Sequence, residues 1–224
     1  MPVRISVVVP VLNEAQGIVA CLEALAPLRA RGHEVIVVDG GSDDRTPELA
    51  RALADRVLTA PRGRARQMNA GARGAAGDAL VFVHADVRLP QGADRMVLKA
   101  LAARPWGRFD VRLDSPRALL ALVGAMMNLR SRLSGIATGD QAIFVRREAF
   151  ERQGGYAEIP LMEDVELSAR LRRLGRPACL RARALVSARR WQARGALRTI
   201  VLMWRLRLAY FLGADPARLA ERYR

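Results

Sequence analysis

Short apolar runs alternate with amphipathic stretches through roughly the first ninety residues of the chain. The apolar runs are rich in Val and Ile, which is typical of buried strands. They predict strands at residues 4–9, 33–39, 56–59 and 79–84. The stretches between them predict helices at residues 14–28, 47–55 and 64–77. Strands separated by single helices pair in parallel, so we expect an α/β protein with a buried, mostly parallel sheet flanked by helices.

Helix starts can be read from capping residues. Asn13, with Gln16 three residues later, predicts the start of the first helix, and Thr46 before Pro47 predicts the start of the second. The pattern after residue 90 is less regular. It predicts strands at residues 106–113 and 141–147, and helices at residues 116–133, 162–175 and along the arginine-rich tail, residues 191–224. No apolar run reaches the eighteen or so residues of a membrane span.

Polar side chains follow three of the predicted strands where each strand ends. Asn13 and Glu14 follow the first, residues 39–44 the second, and His84 and Asp86 the fourth. The carboxyl ends of parallel strands meet at one edge of a sheet, where α/β proteins bind ligands. Each cluster alone is equally typical of a turn or a helix cap. All three together favour a binding site.

Composition narrows the class of protein. The chain is 51% apolar and 26% charged, as in folded globular proteins. Its two cysteines, Cys21 and Cys179, have no metal-binding or disulfide-framework spacing, which fits a reducing compartment. The start of the chain lacks the pattern of a secretory signal, so we expect a cytoplasmic protein.

The net charge of +15 favours anionic ligands, either phosphates or anionic lipid. Lys99 is the one lysine, and the arginines are dispersed among Ala and Leu rather than gathered in a block. No RNA-binding sheet signature, zinc-finger spacing or basic zipper is present. We therefore expect no nucleic-acid partner.

Several stretches, taken in order, resemble the family 2 glycosyltransferases with the GT-A fold. They are "ISVVVPVLNEA", "VIVVDGGSDDRT", "HAD" in the place of an Asp-X-Asp motif, "GDQAIFVRREAF" and "MEDVELSARL". The resemblance covers roughly the first 175 residues. The whole chain, with "GRARQMNAGA" and "SARRW", resembles a small bacterial subgroup labelled as arsenosugar-biosynthesis glycosyltransferases.

This resemblance implies a GT-A domain over residues 1–185 and a helical C-terminal extension over residues 186–224. The nucleotide-sugar half would lie at about residues 1–90 and the acceptor half at about residues 91–185. It also implies a Rossmann-like nucleotide-binding sheet, a donor that is a UDP-sugar, a hydroxyl acceptor and an inverting reaction.

The resemblance makes Asp86 the ligand of Mg²⁺ or Mn²⁺, whose remaining ligands include the donor's phosphate oxygens. His84 stands where the family usually has an aspartate. It could bond the ribose, bind the metal or simply cap the strand end, and a lone histidine is more often structural.

The donor's base is expected to donate its imino N–H to Asp39, a buried carboxylate satisfied only by such a base. Ser42 and Asp44 follow in the same turn and could be turn formers alone. The arginines near residue 65 could bind phosphate or form an ordinary solvated helix face. The other residues that the resemblance assigns to the donor are Pro10, Asn13, Glu14, Arg64, Arg66 and Asn69.

The acceptor hydroxyl needs a general base, and the resemblance assigns that role to Asp164 with support from Glu163. The alternative is that both are first-turn acids that stabilise a helix dipole. "GDQ" is expected on the acceptor side, with Asp140 a candidate of unassigned role. "SARRW" resembles a Gln-X-X-Arg-Trp signature with Ser187 in the Gln position, and its Arg190 and Trp191 would close over the diphosphate or the acceptor.

The tail places Trp204, Tyr210 and Phe211 among Leu, Ile and Arg. This composition fits a helix on an anionic membrane surface, a helix packed on the domain, or a homodimer contact. Membrane contact would make the protein peripheral at the inner face and the acceptor lipid-linked; otherwise a small-molecule acceptor is expected.

Two other functions remain open at this point. A nucleotidyltransferase on a related sheet normally has a Gly-rich, Arg-containing loop after its first strand, where this chain has "PVLNE". A non-catalytic basic module that binds membrane or nucleic acid stays open because His84 interrupts the metal motif.

Overall fold

The computed structural model describes residues 3–189, 191 and 195–223. Within them one mixed sheet is flanked by helices on both faces. The strands are β1 Ile5–Val11, β2 Glu34–Asp39, β3 Arg56–Thr59, β4 Ala79–Phe82, β5 Val87–Arg88, β6 Trp106–Asp114, β7 Phe144–Arg146 and β8 Ala178–Ser187. The helices are α1 Ile18–Arg29, α2 Thr46–Arg51, α3 Arg64–Gly74, α4 Ala93–Ala103, α5 Ala118–Ser134, α6 Arg147–Arg152, α7 Glu163–Leu171, α8 Ala196–Phe211 and α9 Pro216–Tyr223. Short 3₁₀ turns span Gly139–Gln141 and Arg172–Leu174.

The strand order across the sheet is β3-β2-β1-β4-β7-β6-β8-β5. The first four strands pair in parallel, as expected from their alternation with helices. β7 is antiparallel to both β4 and β6, and β5 is antiparallel to β8, while β6 and β8 are parallel. The expected α/β class, with a mostly parallel sheet, is confirmed.

A proline sits in the central strand at the place where β1 loses one of its neighbours. The pairing of β1 with β4 ends at Val8 and Phe82, whereas the pairing with β2 continues through Pro10 to Val11. Val8 accepts a hydrogen bond from the Val83 N–H, so Pro10, two residues later, faces the same side beyond the end of β4. The missing N–H of Pro10 therefore costs no ladder bond. The two strands separate here and leave a crevice.

Alternate residues of β1 pack into two cores on opposite faces of the sheet. Val7 and Val9 belong to the core under α1, α2, α4 and α5, whereas Val8 belongs to the core under α3, α6 and α7. Both faces are covered, which explains why the strands have continuous apolar runs rather than alternating ones. A third, smaller cluster joins Leu206 of α8 and Leu219 of α9 to Val165 of α7.

The structure contains elements that the sequence pattern did not predict, namely β5, α4, α6 and most of β8. The predicted start of the first helix at Asn13 is wrong. Asn13 has a φ of 54° and its side chain accepts the N–H of Asp43, so α1 begins at Ile18. Within the described residues, no helix is both long enough and apolar enough to cross a membrane.

Gly71 tests the packing of α3 on the sheet. A Cβ at this position would lie 2.4 Å from Val8 Cγ1 and 3.0 Å from Val38 Cγ2. We expect Gly71→Ala to lower the free energy of unfolding by about 1–3 kcal/mol, because the added methyl overpacks a closed core. Arg73→Ala, on the exposed side of the same helix, should change it by less than about 0.5 kcal/mol. Equal stabilities of the two variants in urea denaturation would contradict this packing.

Candidate functional site

The crevice between β1 and β4 opens into a cavity of about 320 Å³, called the β1/β4 cavity below. Its wall includes Pro10 and Glu14 after β1, and His84 and Asp86 after β4. Arg62, Gly63 and Arg64 close the side formed by the start of α3. The predicted convergence of polar residues after β1 and β4 is therefore present in the structure.

Asp86 lies where three cavities meet. It borders the β1/β4 cavity, an apolar cavity of about 370 Å³ between α5 and α8, and a third cavity of about 290 Å³ beside α1. Its backbone carbonyl accepts the Ser187 N–H at 2.9 Å, so the end of β8 holds it in place. Its carboxylate makes no hydrogen bond or ion pair with any described residue.

The donor atoms around Asp86 suit a metal ion that takes most of its ligands from elsewhere. In the described part of the chain, no group of three or more His, Cys, Asp or Glu residues could hold a metal by itself. Mg²⁺ is commonly bound through one or two carboxylates, with phosphate and water oxygens completing its shell. A carboxylate that has no partner in the described part of the chain and borders a cavity of about 320 Å³ fits that pattern.

His84 contacts the "GDQ" segment. A Cβ on Gly139 would lie 2.3 Å from His84 Cε1, so the imidazole ring packs directly on this glycine. His84 Nδ1 also lies 3.6 Å from the Asp140 carboxylate. The side chain therefore joins the end of β4 to the acceptor-side segment, and it borders the β1/β4 cavity at the same time.

The Asp39 carboxylate is already satisfied by its own turn. One oxygen accepts the N–H groups of Gly41 and Ser42, both at 3.0 Å, and the other accepts the Ser42 hydroxyl. The expectation that only a base would satisfy this buried carboxylate is wrong, because the glycine-rich turn folds back over it. Its contact with a base stays a prediction.

The loops after β1 and β2 are joined by hydrogen bonds. The N–H of Asn13 donates to the Ser42 hydroxyl, and the Asn13 side chain accepts from Asp43. Glu14 N–H donates to Thr46, and Ala15 N–H donates to the Asp44 carboxylate. The Thr46 hydroxyl in turn helps to hold the pKa of Asp44 below its ordinary value. Asn13, Ser42 and Asp44 thus build the loop pair, and Glu14 borders the cavity.

Three residues predicted on α3 have different surroundings. Arg64 borders the β1/β4 cavity. Arg66 instead forms an exposed ion pair with Glu158 at 3.1 Å. Asn69 is buried and exchanges two hydrogen bonds with the Tyr156 backbone. The turns of α3 direct Arg66 and Asn69 toward residues 156–158, and their contact with a nucleotide stays a prediction.

Sequence reasoning missed Gln67, which is buried on the cavity side of α3. Its amide N–H₂ donates to the carbonyls of Val11 and Val38, the ends of β1 and β2. It therefore ties the start of α3 to both strands that form the cavity. A polar residue inside a helix pattern gave no signal for this role, since its partners are more than twenty residues away.

The acidic pair Glu163 and Asp164 begins α7. Gly139 N–H donates to one Asp164 oxygen at 2.7 Å, and Val165 N–H donates to the other at 2.7 Å. Glu163 is buried, and burial followed by the nearby charge of Asp164 raises its pKa, against the opposite effect of Arg64. Burial disfavours the charge on Arg64, but the carboxylates nearby, Glu163 foremost, hold its pKa above the ordinary value.

The cavity between α5 and α8, called the α5/α8 cavity below, is lined largely by apolar side chains. Asp86, Asp140 and Ser187 lie on its wall, together with Trp191. Of the acidic residues expected on the acceptor side, Asp140 borders this cavity and Asp164 borders none of the three. Arg190 lies outside the described residues.

The protein has sequence relatives whose names describe biosynthesis proteins. It is 33% identical over 195 residues to the succinoglycan biosynthesis protein ExoA of Rhizobium meliloti, covering 75% of this chain and 58% of that protein. It is 34% identical over 88 residues to a PGL/p-HBAD biosynthesis glycosyltransferase of Mycobacterium bovis, covering 36% of this chain and 34% of that protein. The chain thus spans little more than half of the first relative and a third of the second.

Solved structures share the fold. The mannosyltransferase PcManGT from Pyrobaculum calidifontis, in complex with GDP-Man and Mn²⁺, matches with a TM-score of 0.67 and 24% identity, over 100% of this chain and 69% of that one. Residues 1–349 of S. aureus TarS, in complex with UDP-GlcNAc, match with a TM-score of 0.66 and 18% identity, over 83% of this chain and 59% of that one. These likenesses show the GT-A fold.

The model of the family described as "Glycosyl transferase family 2" matches residues 6–119, just over half of the chain. The match includes β1 to β6, and with them the β1/β4 cavity and Asp86. The expected family and the expected kind of enzyme domain are confirmed, whereas the narrower arsenosugar subgroup stays a prediction. The chain belongs to glycosyl transferase family 2.

Proposed function

We propose that this protein transfers a sugar from a nucleoside diphosphate donor, a UDP-sugar, to a hydroxyl acceptor. The observation that carries the proposal is the Asp86 carboxylate, which has no partner among the described residues and lies at the junction of the β1/β4 and α5/α8 cavities. The donor lies in the first cavity and the acceptor approaches from the second. Residues 1–90 would bind the donor and residues 91–185 the acceptor. Residues 186–224 would form the outer wall.

Asp86 would hold Mg²⁺ or Mn²⁺, which when bound stabilises the negative charge that develops on the leaving diphosphate. Arg64, at the edge of the same cavity, adds a fixed positive charge near that group. Pro10 and Glu14 form the neighbouring wall. The pairing of Asp39 with a uracil-type base uses the lone-pair capacity that its turn leaves.

In the transfer, the acceptor oxygen bonds to the anomeric carbon while the bond from that carbon to the diphosphate oxygen breaks. The acceptor's proton passes to a general base, for which we propose Asp164 in an inverting reaction. The Gly139 N–H orients its carboxylate. Glu163 would influence the base through its charge state.

Asp140 is a second candidate for the base, because it borders the α5/α8 cavity and lies 3.6 Å from His84. Peripheral membrane contact, cytoplasmic location and a homodimer stay predictions. His84, Ser187 and Trp191 would line the path between the two cavities.

Asp86→Ala should abolish the effect of metal on nucleotide binding. In calorimetric titrations, we expect the intact protein to bind UDP at least about tenfold more tightly with Mn²⁺ than without it, and the variant to lose this gain. A parallel titration with GDP tests which nucleobase the protein prefers. Glu23→Gln, an exposed acid on α1, is the control. Metal-independent binding of UDP, or no binding of any nucleoside diphosphate, would overturn the proposal.

Asp164→Asn should lower kcat for hydrolysis of UDP-sugars by water about 10²–10⁴-fold, because the variant cannot accept the proton. Affinity for UDP with Mn²⁺ should stay unchanged. The measurement is UDP release from a panel of UDP-sugars, with Asp140→Asn assayed beside it. A large loss of kcat in Asp140→Asn with little loss in Asp164→Asn would assign the role of general base to Asp140 instead.

Glu163→Gln should change how stability depends on pH. The native pKa of Glu163 is raised above the ordinary 4.5, so above that pH the unfolded chain releases a proton that the folded chain retains. Wild-type stability therefore falls as pH rises from the ordinary value through the native one. The neutral variant lacks this loss, so its free energy of unfolding relative to the wild type should rise over that pH window. The measurement is urea denaturation of both proteins from about pH 4 to about pH 8. A constant difference between the two proteins would contradict the raised pKa.

A further inference from the structure

The α5/α8 cavity has apolar walls from two helices. α5 contributes Leu119, Leu122 and Met126, and α8 contributes Met203 and Trp204. Such a lining favours an apolar ligand group, since burying it releases water from both surfaces. An ordinary hydrophilic sugar acceptor would leave most of this wall without a complementary partner.

Two arginines also line this cavity, and some of their buried N–H groups have no hydrogen-bond partner among the described residues. Arg130 Nε and Nη2 and Arg207 Nε are buried and make no hydrogen bond to any described residue. Burial, followed by the like charge of Arg207, lowers the pKa of Arg130 to about 10, against the effect of Asp164. By contrast Arg132, two residues further along α5, pairs with Asp110 at 2.6 Å. Unpaired buried guanidinium groups are costly, and an anion would satisfy them.

The apolar walls continue onto the surface as two stripes. Exposed apolar residues recur at helical spacing along α5 and along α8, and the members of the stripes are Leu119, Leu122, Met126, Leu129 and Leu133, then Leu197, Val201, Trp204, Leu208 and Phe211. Leu119, Leu122 and Trp204 belong to both the stripes and the cavity wall. An apolar chain longer than the cavity could therefore continue along the surface.

The charges near the two stripes indicate which kind of ligand fits them. α5 and α8 contain no Asp or Glu, while α8 carries Arg198 and Arg205 exposed beside its stripe. A second copy of the chain would bring the same positive charges and repel. A nucleic acid would supply anions but no apolar chain. An amphiphile with an anionic head meets both requirements.

We propose that the α5/α8 cavity binds an anionic amphiphile, whose phosphate or carboxylate pairs with Arg130 and Arg207 and whose apolar chain lies between the helices. Asp86 and Asp140 border the same cavity, so this amphiphile is the acceptor, an assignment that rests on the proposed function. A hydroxyl on its head would then stand beside the donor. The bond changes and the proton transfer are those already given for the transfer reaction.

The test compares three probes on the full chain. Dodecyl phosphate carries both the anion and the chain, inorganic phosphate only the anion, and dodecyl maltoside only the chain. We expect calorimetry, below the micelle concentration of each amphiphile, to show dodecyl phosphate binding at least about tenfold more tightly than either other probe. Equal binding of inorganic phosphate would overturn the role of the chain, and equal binding of dodecyl maltoside would overturn the role of the anion.

Arg130→Gln and Arg207→Gln should each weaken dodecyl phosphate binding at least about tenfold, because each removes a charge-assisted contact. Arg198→Gln and Arg205→Gln, exposed on α8, are matched controls and should bind as the wild type does. Arg130→Lys, which keeps the charge, should bind dodecyl phosphate with an affinity between those of the wild type and Arg130→Gln. Melting temperatures verify folding. Unchanged affinity in both folded glutamine variants, or equal losses in the controls, would overturn the site.

Nucleotide titrations on the same proteins separate this site from the transfer reaction. Glutamine variants that bind UDP with Mn²⁺ normally but lose dodecyl phosphate support a distinct acceptor site. Dodecyl phosphate binding in a protein that binds no nucleotide would overturn the proposed transferase and the acceptor assignment while leaving the amphiphile site in place. Nucleotide binding without dodecyl phosphate binding would overturn the amphiphile site and the acceptor assignment while leaving the proposed transferase in place.

Discussion

The geometry of the site depends on the hydrogen bond from the Ser187 N–H to the Asp86 carbonyl, at the place where β5 pairs with β8. β5 has only two residues, so it has little stability of its own and is fixed by its partner strand. β8 in turn pairs with β6 along most of its length. The short segment after β4 is thereby held against the end of the sheet, and Asp86 is fixed between the β1/β4 cavity and the α5/α8 cavity.

Hydrogen bonds within the protein fix the loops beside the β1/β4 cavity. The loops after β1 and β2 satisfy one another's backbone groups through Asn13, Ser42 and Thr46, and Gln67 ties α3 to both strands. Groups fixed in this way lose little conformational entropy on binding. The α5/α8 cavity is different, since its wall contains arginine N–H groups without partners among the described residues and apolar side chains that are exposed.

The central strands were predictable because both faces are covered and their apolar runs stand out, as in β1 and β2. β8 was not predictable, because its sequence, "ACLRARALVS", has no continuous apolar run. Its two arginines lie at exposed positions. The polar residues after β1 and β4 were found through the rule that parallel strands end at one edge. The direction of Arg66 and Asn69 could not be found, because it depends on where residues 156–158 pack. Arg130 and Arg207 are ordinary helix arginines in the sequence pattern, and their burial in one cavity depends on how α5 and α8 are placed, which the pattern does not give.

Electrostatics also supports the proposed role of a divalent cation at Asp86. The Asp86 carboxylate has no positive partner among the described residues, and a nucleoside diphosphate brought beside it carries charge of the same sign. At about 4 Å, two unit charges in a partly buried site repel by about 4 kcal/mol. The nearby Arg64 is already engaged by the charges of Glu163 and Asp164, so it cannot neutralise both groups. The high positive charge of the whole chain favours anionic ligands, and a divalent ion held by Asp86 would offset that repulsion.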